Sequence, residues 1–84
     1  MHTWGVDVYH RRPIDLTLEI GLTEEANKFG GVLEYRDEED SGGAAHTLCL
    51  TYEFLNEQEA SLAIDALKLI GGDKIKIEGP YPYG

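Results

Sequence analysis

Basic residues are scarce in this 84-residue chain: 7 Lys and Arg stand against 16 Asp and Glu, for a formal net charge of −9. Such an excess repels phosphate backbones and anionic headgroups and removes the counterion-release contribution to nucleic-acid affinity, so neither nucleic acid nor a membrane surface is expected as a partner. Cysteine is nearly absent. The single Cys49 cannot close an internal disulfide and has no companion at zinc-ligand spacing, which sets aside disulfide and zinc scaffolds and makes a reducing, cytoplasmic location the expectation. No run approaches the roughly 18 apolar residues of a membrane span, and the N-terminus lacks a basic segment leading into an apolar one. Length excludes more. A chain of this size supports one core and buries about 60 to 65% of its unfolded surface, so a single small domain over 1–84 is expected and a deep internal cleft is not.

What is present is enough to fold. The apolar fraction of 42% is too high for a disordered acidic segment. Ile14-Asp15-Leu16-Thr17-Leu18-Glu19-Ile20 alternates branched aliphatic with polar residues at every step, the pattern of a strand with one buried face. Before it, Trp4, Val6 and Val8 alternate with Gly5, Asp7 and Tyr9 as far as Pro13, which predicts an extra N-terminal edge strand or an extension of the first strand. Thr23 as a cap, acidic residues in the following turn and Gly30-Gly31 as a stop predict a short helix over 22–29. Val32–Arg36 reads as a strand with Leu33 and Tyr35 inward, followed by an acidic hairpin tip over Asp37–Gly43. His46–Phe54 reads as the return strand, with Leu48, Leu50, Tyr52 and Phe54 on one face.

A long helix follows. Asn56 with Glu59 resembles a capping box, and Ala60, Ala63, Ile64, Leu67 and Ile70 recur at helical spacing up to Gly71-Gly72. Lys74–Glu78 alternates as a last strand, and 79–84 is a Pro/Tyr C-terminal tail outside the ladder. The resulting β-α-β-β-α-β order is that of the ferredoxin-like split unit. The expected fold is α+β: a four-stranded antiparallel sheet with one long and one short helix on one face, the last strand beside the first. Its open face would carry Asp15, Thr17, Glu19, Glu34, Arg36, Thr47, Cys49, Thr51, Glu53, Lys74, Lys76 and Glu78, with no aromatic among them. Base-stacking RNA recognition, which needs aromatics there, is disfavoured on those residues.

The chemistry-bearing candidates are few. The 37–43 stretch lacks the alternate-position ligands of a calcium loop and reads as a solvated turn, so no metal is expected. His2, His10 and His46 lie far apart, and Cys49 sits among threonines and carboxylates that disfavour a thiolate; no catalytic residue and no cofactor is assigned. Arg11 and Arg12 are adjacent cations in an acidic chain and form the candidate anion-binding pair. Trp4, Tyr9, Tyr81 and Tyr83 gather in the terminal segments and form the candidate partner-binding set, because Trp and Tyr dominate interface hot spots. The expected function is a non-enzymatic protein-interaction module that binds a protein partner or self-associates as a homodimer. Two alternatives stand beside it. One is a dimeric α+β-barrel enzyme or small-molecule binder using His10, Tyr52 or His46; the other is an acidic mimic that inhibits a basic protein. Nine carboxylates between Asp15 and Asp40 motivate the last.

Overall fold

A single carboxylate starts a helix inside a segment whose alternation reads as a strand. In the computed structural model, which describes residues 2–11, 13–39 and 47–84, Asp15 Oδ1 accepts hydrogen bonds from the backbone N–H groups of Thr17 (3.0 Å) and Leu18 (3.2 Å). That is an N-cap, and it starts a 13-residue helix, α1, over Leu16–Lys28. The strand expected over Ile14–Ile20 does not form. The apolar residues that alternate in sequence separate on the helix: Leu18, Leu22, Ala26 and Phe29 turn toward the core, whereas Leu16 and Ile20 remain 64% and 58% exposed. The helical spacing Leu18, Leu22, Ala26 overlaps the alternation at Leu18.

With 14–20 helical, the N-terminal segment takes over as the first strand, β1, over Trp4–Arg11. It is no edge strand. β2 (Val32–Glu39), β3 (Thr47–Phe54) and β4 (Ile75–Pro82) complete an antiparallel sheet in the spatial order β2-β3-β1-β4, which places β1 in the interior. The second helix, α2 (Glu57–Gly71), begins at Asn56, whose side chain accepts from the Glu59 N–H (2.8 Å) and donates to the Glu59 carboxylate. The two helices have 13 and 15 residues, so the expected contrast between a short and a long one disappears.

The core lies between the helices and one sheet face. Val6 and Val8 of β1 and Leu48, Leu50, Tyr52 and Phe54 of β3 meet Leu22 and Ala26 of α1 and Ala60, Ala63, Ile64 and Leu67 of α2, all buried. Trp4, Leu33, Ile75 and Ile77 pack half-buried around them. The opposite sheet face is covered by neither helix.

Two irregularities redirect side chains. The β2–β3 register shifts between Leu33 and Tyr35, so Leu33 stays beside Tyr52 while Tyr35 comes opposite Thr51 and turns outward, against the inward placement expected. Such a shift reverses the face of everything beyond it. Arg36 is thereby carried to the helix side, where Nε donates to Glu19 Oε1 (2.6 Å) and Nη2 to Oε2 (3.3 Å). The Glu19 hydrogen bonds hold the guanidinium above its usual pKa. Asp15 and Glu19, expected on the open face, therefore belong to the helix layer. Glu19 is buried, whereas the Arg36 side chain is 39% exposed. Arg36→Met should cost about 1 to 2 kcal/mol, below the range for a fully buried pair, because it strands a buried carboxylate. The double change Glu19→Leu/Arg36→Met should recover most of that loss in urea unfolding.

The second shift lies between Gly5 and Asp7, opposite Gly79-Pro80. It lets a proline without an N–H sit within an edge strand, so β4 continues through Pro82 and Tyr83 N–H donates to Thr3 O (2.9 Å). The expected Pro/Tyr tail is thus largely strand. Gly79 has φ of 129°, and a Cβ there would lie 2.7 Å from the Gly5 carbonyl oxygen, so only glycine fits.

Candidate functional site

Cross-strand register orders the uncovered sheet face into rows. One row runs Tyr81, Gly5, Glu53, Val32; the next Glu78, Asp7, Thr51, Tyr35; the third Lys76, Tyr9, Cys49, Asp37. The face expected to lack aromatics therefore carries Tyr9, Tyr35 and Tyr81, and Tyr83 joins them with its ring centroid 6.1 Å from that of Tyr81. Strand parity moved them there: Tyr9 alternates with the buried Val8 and His10, and the two register shifts deliver Tyr35 and Tyr81.

Asp7 organises the centre of the face. Its Oδ1 accepts from Tyr81 Oη (2.8 Å) and from Thr51 Oγ1 (2.8 Å), and Thr3 Oγ1 donates to Glu53 Oε2 (2.6 Å) one row away. The Tyr81 ring is thereby laid along β1 over Gly5, where no side chain intervenes. Burial, the bond to Asp7 and the nearby carboxylate charge all push the Tyr81 hydroxyl pKa upward. Tyr9 is also raised, first by burial and then by Cys49, Asp7 and Glu78. The Cys49 thiol is pushed up chiefly by burial, which keeps it protonated and unreactive at neutral pH.

The four candidate partner-binding residues divide. Tyr9, Tyr81 and Tyr83 share the open face, while Trp4 points to the helix side and packs against the core. Tyr35, 61% exposed, and the anchoring Asp7 belong to this region, and neither was singled out from sequence. Tyr35 could not have been: its outward turn depends on the bulge.

A second feature lies at the end of β1. A cavity of about 280 Å³ is lined by His10, Arg11, Pro13, Asp15, Asp73 and Lys74. Arg11 is thus at a cavity mouth; Arg12, His46 and residues 40–43 of the acidic turn lie outside the described residues, while Asp37, Glu38 and Glu39 belong to β2. Of the residues weighed for catalysis, Tyr52 donates to or accepts from Thr23 Oγ1 (2.9 Å) in the core, opposite Val6 in the ladder. That is four residues, about 13 Å, along β1 from His10. The two do not form a site. Among the described residues no cluster of His, Cys, Asp and Glu could hold a metal, and no helix is long and apolar enough to cross a membrane.

The class these features define is a small α+β domain with an open four-stranded antiparallel sheet. No protein-family model matches the sequence, and comparison with curated proteins returns no match.

Proposed function

We propose that this chain is a non-enzymatic, ferredoxin-like interaction module of the cytosol that docks a protein partner on its open sheet face. The observation that carries this is the set of four tyrosines, Tyr9, Tyr35, Tyr81 and Tyr83, on a face covered by neither helix. Tyrosine offers a large, rigid contact area with a polar end, and it is enriched at interface hot spots. The strand order and the placement of both helices on the other face support the ferredoxin-like reading.

Charge narrows the partner. Asp7, Asp37, Glu53 and Glu78 share the face with Lys76 and Arg11, so the complementary surface is neutral to basic. A second copy docked face to face would oppose like charges, which argues against the barrel dimer. Edge pairing is also disfavoured. β2 presents Glu34, Asp37 and Glu38, and β4 carries two prolines, both devices that block strand addition.

Capture from lysate on the immobilised protein tests the reading, with light scattering establishing oligomeric state first. Retention at about 0.5 M salt is expected, because charge contacts are then screened beyond a few ångströms while aromatic ones persist. Tyr35→Ala/Tyr83→Ala should reduce the captured protein at least tenfold, since both side chains are exposed and neither holds the core. Capture lost at high salt would transfer the role to the acidic surface as a mimic. A dimer dissociated by the double variant would make the partner a second copy. Undiminished capture by a variant of unchanged fold would rule out the tyrosine face.

A further inference from the structure

The charges on the open sheet face are sorted along the strands. Arg11, Tyr9 and Asp7 are successive residues on that side of β1, and on β4 Lys76 lies opposite Tyr9 and Glu78 opposite Asp7. The β1–β4 half therefore has a cationic end, Arg11 with Lys76, and an anionic middle, Asp7 with Glu78. Beyond the middle come Tyr81, laid over Gly5, and Tyr83. A pocket of about 360 Å³ marks the change of sign, lined by Tyr9, Arg11, Lys76 and Glu78.

Both poles are open to a partner. No ion pair among the described residues engages Arg11, Lys76, Asp7 or Glu78, and the two hydrogen bonds that Asp7 accepts come from uncharged hydroxyls. The other half of the face has one sign only. Among the described residues of β2 and β3 it carries Asp37 and Glu53 and no cation, because the bulge sends Arg36 to the helix side. A partner of mixed charge is thus matched along β1 and β4 alone.

Spacing turns that match into an order. Successive same-face residues of a strand are about 7 Å apart, and an extended segment presents its own side chains at the same interval. Three alternate positions of such a segment would meet three different surroundings. A singly charged carboxylate suits the cationic end better than a phosphate does, because Glu78 lines the same pocket and repels a second negative charge.

We propose that a partner protein lays an extended segment along the β1–β4 half of the face, with an acidic, a basic and an apolar side chain at alternate positions. The acidic one lies between Arg11 and Lys76, the basic one between Asp7 and Glu78, and the apolar one against Tyr81 and Tyr83. This rests on the sheet-face reading and adds to it the order of the partner's residues. Side chains make the match, so the segment fits in either chain direction.

Two blocked nonapeptides of one composition test the order. Each is threonine except at three alternate central positions, which carry glutamate, lysine and phenylalanine in the first and lysine, glutamate and phenylalanine in the second. Titrations of the intact protein, followed by backbone amide shifts at low salt, should show the first binding about tenfold more tightly. Two attractions in one order become two repulsions in the other, each of roughly the strength of an exposed ion pair. Salt at about 0.5 M should reduce the preference to about twofold. Arg11→Gln/Lys76→Gln, at two exposed positions, should reduce it to about threefold by removing one pole. A nitroxide on the glutamate end of the first peptide should broaden the amides of Arg11 and Lys76 more than those of Thr3 and Tyr83. Binding of neither peptide, equal affinity for both, a preference unchanged in the double variant, or broadening centred on Thr3 and Tyr83 would overturn the proposal. The sheet-face reading is decided separately, by lysate capture with Tyr35→Ala/Tyr83→Ala.

Discussion

Between pH 10 and 12 the protein should lose about 2 to 3 kcal/mol of unfolding free energy through one side chain, Tyr52. Its ring is fully buried between α1 and the sheet, and burial pushes its hydroxyl from the ordinary 10 up to about 12, with the Thr23 hydrogen bond acting in the other direction. The folded pKa is raised, so the unfolded chain releases its proton first. The associated stability is therefore complete below pH 10 and is lost as pH climbs to 12, at about 1.4 kcal/mol per pH unit. Tyr52→Phe isolates this contribution. At pH 8 the variant should be less stable by about 1 kcal/mol, because Thr23 loses its partner. Above pH 11 the order should reverse, since phenylalanine has no proton to lose. Urea unfolding of both proteins across pH 8 to 12 checks the crossing; parallel curves would show that Tyr52 ionises in the folded state without cost.

Tyr52 was also among the residues most readable from sequence, and the contrast with α1 shows why. In 47–54 the alternation of Leu48, Leu50, Tyr52 and Phe54 has no competing period, and the strand forms as expected. In 14–29 two periods overlap. The step of two through Ile14, Leu16, Leu18 and Ile20 competes with the helical spacing of Leu18, Leu22 and Ala26, and what decides between them is the Asp15 cap together with the room that β1 takes in the sheet interior. Pattern counting weighs neither. The helix α2 escaped this ambiguity because Asn56 and Gly71-Gly72 bracket a stripe with only one period.

The candidate site was legible in part for the same reason. Tyr9, Tyr81 and Tyr83 could be grouped because the last strand was expected beside the first, and the ladder between β1 and β4 joins them. Trp4 was grouped with them by composition, yet its even position in β1 sends it to the helix side with Val6 and Val8. Tyr35 and Arg36 exchanged faces through a one-residue shift that leaves no mark on local composition. The cavity beside His10 was invisible altogether: it joins Arg11 and Asp15 to Asp73 and Lys74, some 60 residues away. The acidic excess is likewise spread over both layers, with Glu19 paired to Arg36 on the helix side and Asp7 serving as an acceptor on the open face.

Gly5→Ala should disrupt the open face by displacing a single ring. A Cβ at this position would lie 2.6 Å from Tyr81 Cζ and 2.9 Å from its hydroxyl oxygen, far inside contact distance, although the backbone at Gly5 has no left-handed torsion to forbid a side chain. The conflict is with the ring alone. Tyr81 must swing off β1, giving up its hydrogen bond to Asp7 and its packing beside Tyr83. Overpacking of this kind costs about 1 to 3 kcal/mol. The displaced hydroxyl should titrate closer to pH 10, because burial and the Asp7 bond are what hold it high, and ultraviolet titration of the tyrosines reads this directly. Tyr81→Phe separates the two contributions: it keeps the ring over Gly5 and should lose only about 1 kcal/mol. In the double variant Gly5→Ala/Tyr81→Ala the methyl no longer meets a ring, so its stability should exceed the sum of the single effects by about 1 kcal/mol or more. Strict additivity would mean that the ring is not held over Gly5 in solution, and the tyrosine surface proposed for partner docking would lose its anchor.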